Sequence, residues 1–279
     1  MTTRAYRLVN VFAESTFGGN PLCVFEDARG LDDMTMQAIA RQFNLSETTF
    51  IFPSSAATAR MRIFTPTFEV PFAGHPTLGT AHVARALFGG NQVALETNAG
   101  VIPVTADGDR WTLAAKSAVP RPFDDHRETL APLLGLQGAD IAPMPLWLNA
   151  GLEQLIVPLA SADAVRRCEP NAALLPRWPR NLDGQAMALA WAPLDAEKIL
   201  GRFFFTKGNA FAEDPGTGSA CANLGGWFVA SGIKGPLSRT LLQGEAVGRP
   251  CVLGLHIDAD QRVFVSGRVI ELGRGEIRW

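Results

Sequence analysis

Short apolar runs bounded by Gly, Pro, Asn or Asp recur along this chain, and such runs read as strands. In the first half they fall at 6–12, 22–26, 48–53, 59–65, 93–97, 101–106 and 110–115, with matching runs later. Longer stretches predict helices over 32–43, 76–88, 126–135, 161–167 and 215–231. Two of the helices are unlike the rest. Thr77-Leu-Gly-Thr-Ala-His-Val-Ala-Arg-Ala-Leu-Phe88 and Gly218-Ser-Ala-Cys-Ala-Asn-Leu-Gly-Gly-Trp-Phe-Val-Ala230 are apolar almost all round. A helix that is apolar on every face is buried. The pattern therefore predicts an α+β protein in which mainly antiparallel strands wrap one apolar helix, twice over.

The second copy is visible in the residues. Arg62-Ile-Phe-Thr-Pro-Thr-Phe-Glu-Val-Pro-Phe-Ala-Gly-His-Pro-Thr-Leu-Gly-Thr-Ala81 and Arg202-Phe-Phe-Phe-Thr-Lys-Gly-Asn-Ala-Phe-Ala-Glu-Asp-Pro-Gly-Thr-Gly-Ser-Ala220 share a plan. Each has an Arg, an apolar strand, an irregular stretch, and then Phe-Ala-x-[His/Asp]-Pro-x-x-Gly-[Thr/Ser]-Ala. Pro76 and Pro215 lie 139 residues apart, half the chain. A period that long points to internal duplication. Weaker echoes pair Asn20–Phe25 with Glu153–Pro158, and the strand–turn–strand around Asp107-Gly-Asp with that around Asp258-Ala-Asp. The expected domains are 1–118 and 119–267, joined where Pro120 and Pro122 forbid a central strand or helix interior. The segment 268–279 has no counterpart in the first half and is expected to return to the N-terminal domain as a strand.

Composition narrows the function classes. The 279 residues carry 25 basic and 27 acidic side chains, so no electrostatic case exists for a nucleic-acid or anionic-membrane partner. No apolar run reaches membrane-spanning length, and MTTRAYRLVNVF reads as a first strand, not a signal peptide. Four scattered cysteines without a CxxC pair argue for free thiols in a reducing cytoplasm and against a zinc site.

The candidate chemistry sits at the starts of the two apolar helices. Pro at a first helical position suits a helix start, because its missing N–H was an orphan there. His75 and Asp214 then fall at or near the N-caps. Small residues follow them, leaving backbone N–H groups free to face an anion at the positive dipole end. Asp214 also fits an ordinary N-cap, and His75 a structural turn residue. No Lys follows within Asp214–Asn223, so the turn is not a phosphate loop. Ser219 in Thr-Gly-Ser-Ala-Cys lacks the nucleophile-elbow spacing. Glu47 is the sole charge between a helix ending near Phe43 and the strand Thr48–Phe52. It reads either as an exposed junction acid or as a desolvated carboxylate able to accept and donate a proton.

Three segments together resemble the PhzF family of phenazine-biosynthesis-like isomerases: Asn44-Leu-Ser-Glu-Thr-Thr-Phe50, Phe72-Ala-Gly-His-Pro-Thr-Leu-Gly79 and Glu213-Asp-Pro-Gly-Thr-Gly-Ser-Ala220. Phe12–Pro21 and Gln243–Pro250 add to the likeness, which spans nearly the whole chain outside 120–195. The resemblance implies a diaminopimelate-epimerase-like fold of two similar domains with the active site between them. It implies Glu47 as the acid/base that moves a proton between substrate carbons. His75, Asp214 and Ser219 would position a carboxylate-bearing substrate of the dihydro-hydroxyanthranilate kind, and Gly74 and Gly218 would offer backbone approach. It further implies a homodimer working without metal or organic cofactor. Related epimerases place a cysteine in each helix-start turn, where this chain has His75 and Asp214. The competing functions are an amino-acid or hydroxy-acid epimerase or racemase, and a non-catalytic metabolite-binding protein.

Overall fold

The computed structural model describes residues 2–279. It divides into two compact units, one ending at Ala114 and taking back Ser266–Trp279, the other formed by Ala115–Val265. In the first unit β1 (Thr3–Val11) pairs antiparallel with β2 (Asn20–Phe25). After α1 (Asp33–Phe43) the chain returns as β3 (Thr48–Phe52), parallel to β2 and followed by antiparallel β4 (Ala59–Phe64). A two-residue strand, β5 (Glu69–Val70), folds back on β4 and leads into α2 (Gly74–Phe88). Then β6 (Gln92–Thr97) runs parallel to β4 and continues as a meander through β7 (Gly100–Asp107) and β8 (Arg110–Ala114).

The second unit repeats this order. It opens with β9 (Val119–Pro122) and α3 (Arg127–Leu133). Next, β10 (Leu146–Asn149) pairs antiparallel with both β9 and β11 (Glu153–Pro158). Through α4 (Ala162–Arg167) the chain reaches β12 (Met187–Pro193), parallel to β11, and then antiparallel β13 (Lys198–Lys207). β14 (Ala210–Asp214) folds back on β13 and leads into α5 (Gly218–Ala230). β15 (Leu237–Gln243) runs parallel to β13 and antiparallel to β16 (Cys251–Ile257). The last strand, β17 (Val263–Arg278), pairs with β1 and with β8 and so closes the first unit into a barrel. Antiparallel, parallel, antiparallel, back-folded stub, helix, parallel: the order is the same in both halves.

The duplication reaches single residues. Arg62 grips Glu69 across the β4–β5 hairpin at 2.7 and 2.5 Å, and its guanidinium lies 5.1 Å from the Phe64 ring. Arg202 grips Glu213 across β13–β14 at 2.7 Å and lies 4.9 Å from the Phe204 ring. These are the two arginines that open the matched sequence segments.

Each apolar helix lies inside its sheet. α2 packs on β1, β2, β3, β6 and β8, and α5 packs on β9, β10, β11 and β16. Close approach depends on glycine in both helices. A Cβ at Gly79 would lie 2.6 Å from Leu22, and one at Gly225 2.5 Å from Val263. On the outer face of the first sheet, α1 buries Met36, Ile39 and Ala40 against Phe25, Phe50 and Phe64. In the second unit α3 and α4 cover a separate outer cluster that includes Trp147, Trp178 and Phe204.

The predicted elements recur at nearly the predicted places, with one class of correction. Proline does not open either central helix. The N-caps are Ala73 and Thr217, Pro76 is the third residue of α2, and Pro215 stands in the turn before α5. The first four helical N–H groups all lack an intrahelical acceptor, so Pro76 loses no bond at its position. Pro120 and Pro122 do enter a strand, the four-residue β9. Their spacing of two confines the missing donors to one side of it. Among the described residues no helix is long and apolar enough to cross a membrane.

Candidate active site

In the first unit Glu47 is placed by the joint between α1 and β3. Asn44 ends α1 in the left-handed conformation at φ 51°, and the chain turns straight into β3. Neighbouring Thr48 and Thr49 are fully buried, and Thr49 shares a 2.8 Å hydrogen bond with Thr80 of α2. That bond ties the root of β3 to the central helix. The Glu47 side chain keeps 18% of its surface, and its Oε2 lies 3.5 Å from His75 Nδ1. The exposed-junction reading of Glu47 therefore fails: a carboxylate held against a helix start is desolvated on one side.

His75 is the second residue of α2 and is buried. Burial lowers its pKa to about 3, although a hydrogen bond with the Pro21 backbone, necessarily through the carbonyl, acts in the opposite sense. The imidazole is thus neutral at ordinary pH. Its contact with Glu47 is a dipolar one, not an ion pair. Gly74, immediately before it, is buried in the first turn.

In the second unit Asp214 ends β14, and Gly218 and Ser219 open α5. The turn joining them is organised by Thr217 and by a residue far along the chain. Thr217 Oγ1 donates to Asp214 Oδ2 at 2.5 Å. The buried Gln243 amide donates to Asp214 O at 2.7 Å and to Thr217 Oγ1 at 3.0 Å, and accepts from Thr217 N at 3.2 Å. Gly244 allows β15 to end against this turn. At its φ of +82° a Cβ would lie 2.5 Å from Pro215 O. Ser219 Oγ receives a hydrogen bond from Gln154 Nε2 at 2.9 Å.

The helix starts share one further property. Asp32 caps α1 and Ser161 caps α4, each accepting from a backbone N–H of the first turn. Neither α2 nor α5 has a side-chain cap, and α3, which starts after His126, has none either. Thr217, the residue able to cap α5, gives its hydroxyl to Asp214 instead. Uncapped N–H groups at the positive end of a buried helix favour negative charge nearby. The structure thus sets Glu47, Gly74 and His75 at one such start in the first unit, and Asp214, Gly218 and Ser219 at the equivalent start in the second.

Sequence reasoning missed Thr217, Gln154, Asn223 and Gln243 as builders of the second start. Gln243 stood in a segment noted for its family likeness, but nothing local linked it to a turn 26 residues earlier. A separate cavity of about 400 Å³ in the second unit, lined by Arg121, Phe123, Trp147, Arg177 and Arg180, holds none of the predicted site residues. Among the described residues no three His, Cys, Asp or Glu gather as metal ligands. All four cysteines are free and buried, and burial pushes the Cys168 and Cys221 thiols up to about 12.

Comparison with known proteins places these features in context. A family model described as phenazine biosynthesis-like protein matches residues 9–275. An uncharacterised isomerase from Pasteurella multocida is 40% identical, over 99% of this chain and 95% of its own. The trans-2,3-dihydro-3-hydroxyanthranilate isomerase of Pseudomonas fluorescens is 33% identical over 98% of each chain. A crystal structure of a PhzF-family phenazine biosynthesis protein from Bacillus anthracis superposes with a TM-score of 0.85 at 24% identity, covering 100% of both chains. The expected diaminopimelate-epimerase-like α+β architecture is the one observed.

Proposed function

The chain belongs to the phenazine biosynthesis-like family and is an isomerase, and from that premise we propose that it shifts a proton within a small carboxylate-bearing substrate, Glu47 acting first as base and then as acid. The observation that carries this reading is the seating of Glu47 at the root of β3 beside a neutral histidine. An imidazolium at 3.5 Å would hold the carboxylate as an ion pair. A neutral ring leaves both the ionised and the protonated acid usable, as a group that removes and returns one proton requires. No cofactor enters this scheme.

The start of α5 holds the substrate carboxylate through its uncapped N–H groups and Ser219, while Asp214, fixed by Thr217 and Gln243, orients a neighbouring polar group. The substrate class is that of the Pseudomonas fluorescens relative, a dihydro-hydroxyanthranilate. A two-thiol epimerase is disfavoured by the structure of α5. The only cysteine near its start, Cys221, is fully buried with its thiol held protonated.

The test is turnover of trans-2,3-dihydro-3-hydroxyanthranilate in deuterated water, followed by NMR. Wild type should shift the double bond with deuterium incorporation, and Glu47→Gln should lose about 10²- to 10⁴-fold in kcat with its fold intact. Full activity in that variant sinks the mechanism. Inversion at one carbon without a double-bond shift replaces isomerisation by epimerisation.

A further inference from the structure

Two buried amides stand behind the start of α5, and the direction of their hydrogen bonds is set from the backbone outward. Asn223 Oδ1 accepts from Ala150 N–H at 2.8 Å, a donor that cannot be reversed. Its Nδ2 therefore faces Leu152 O at 3.0 Å and Gln154 Oε1 at 2.9 Å. With its oxygen so occupied, Gln154 turns Nε2 toward Ser219 Oγ. An amide nitrogen only donates. Ser219 must accept that bond, and its own proton is the one left to give.

The relay is insulated from solvent, for Gln154 and Asn223 are both 0% exposed. Ser219 is not. From Pro215 to Gly226 it is the single residue that is not buried. A hydroxyl with one lone pair engaged from behind keeps its proton available to a ligand.

We propose that Gln154, oriented by Asn223, is the positioning residue that engages one lone pair of Ser219 from behind, favours donation of the hydroxyl proton to the substrate, and so favours a carboxylate over a carboxamide at the start of α5. The inference rests on the reading of that helix start as the anion-holding end of the site. The backbone N–H groups then offer donors only, and Ser219, with one lone pair engaged, adds its proton beside them. A carboxylate meets them with acceptors alone, whereas a carboxamide sets its NH₂ against one of them. Rejection by an unpaired donor is the form of discrimination that buried polar sites do best.

Calorimetric binding of anthranilate and anthranilamide tests this, using Gln154→Glu, Gln154→Met and Ser219→Ala. Gln154→Glu keeps the shape and can still accept from Asn223, but it accepts from Ser219 and turns the hydroxyl inward. Gln154→Met removes the donor without adding charge, and unchanged near-ultraviolet circular dichroism identifies variants that keep the fold. Wild type should prefer anthranilate, and Gln154→Glu should shrink that preference about tenfold or more. Gln154→Met should shrink it less, and should have no further effect once Ser219 is Ala.

Three results overturn the proposal: a preference unchanged in both folded Gln154 variants, a full additional loss from Gln154→Met in the Ser219→Ala background, or no anthranilate binding by wild type. The isomerase reading fails separately. A Gln154-dependent preference alongside a fully active Glu47→Gln enzyme removes the proton-transfer scheme and leaves this inference standing. An inactive Glu47→Gln enzyme with an unaltered preference in the folded Gln154 variants does the reverse.

Discussion

The buried imidazole of His75 makes the stability of the protein depend on pH in a particular direction. Its folded pKa, about 3, lies below the ordinary value of 6.5. Between those values the unfolded chain binds a proton that the folded chain refuses, so stability falls as pH falls. From pH 7 to pH 5 this one group should cost about 2 kcal/mol. Urea denaturation at the two pH values should show that loss in wild type and a smaller one in His75→Gln. Equal losses in both would mean that His75 takes up its proton without unfolding. Above pH 5 the ring does not titrate, so no limb of the pH–rate profile in that range should disappear with His75. At this scale Glu47, His75, Asp214 and Ser219 could be singled out from the sequence, because they stand in distinctive local motifs. It was silent on the residues that hold them. Gln154 reaches Ser219 across 65 positions, and only the folded sheet brings such partners together.

At the scale of elements, periodicity marked the two central helices well, because a helix enclosed by strands must be apolar on all sides. Their starting residues were legible only in part. A proline marks a helix start only to within a turn, because any of the first positions tolerates a missing N–H. The approach of α2 to β1 and β2 gives a separate prediction. Gly→Ala in a helix ordinarily stabilises by up to about 1 kcal/mol. At Gly79 the added methyl would stand 2.6 Å from Leu22 and 3.0 Å from Val11, both fully buried. Overpacking should outweigh propensity, and Gly79→Ala should lose about 1–3 kcal/mol in chemical denaturation. A gain in stability would show that Leu22 can move aside at little cost.

For the molecule as a whole, the decisive element is β17. Its register with β1 runs from Thr3↔Arg278 to Val11↔Val269. Arg7, only 4% exposed, bonds both Glu26 and Glu271, at 2.5 and 3.0 Å, so the same strand supplies one of the two carboxylates that neutralise a buried guanidinium. The expected return of the chain end to the N-terminal domain was legible as a segment without a counterpart in the first half. Its pairing on both sides was not, since the β8 contact is made by a strand 16 residues long. Deleting Ser266–Trp279 should expose the edges of β1 and β8 and leave Arg7 half-paired. We expect aggregation of the truncated chain, with a cooperative transition retained for at most the second unit, as followed by calorimetry and tryptophan fluorescence.

The same strand imposes an order on synthesis. A chain emerging from the ribosome has delivered every other piece of the first barrel by Ala114, yet that barrel stays one stave short until Ser266–Trp279 has been made. The later unit, Ala115–Val265, is therefore complete before the earlier one. Throughout the interval the earlier half carries two open strand edges, and the time spent in that state lengthens with every pause after Ala114.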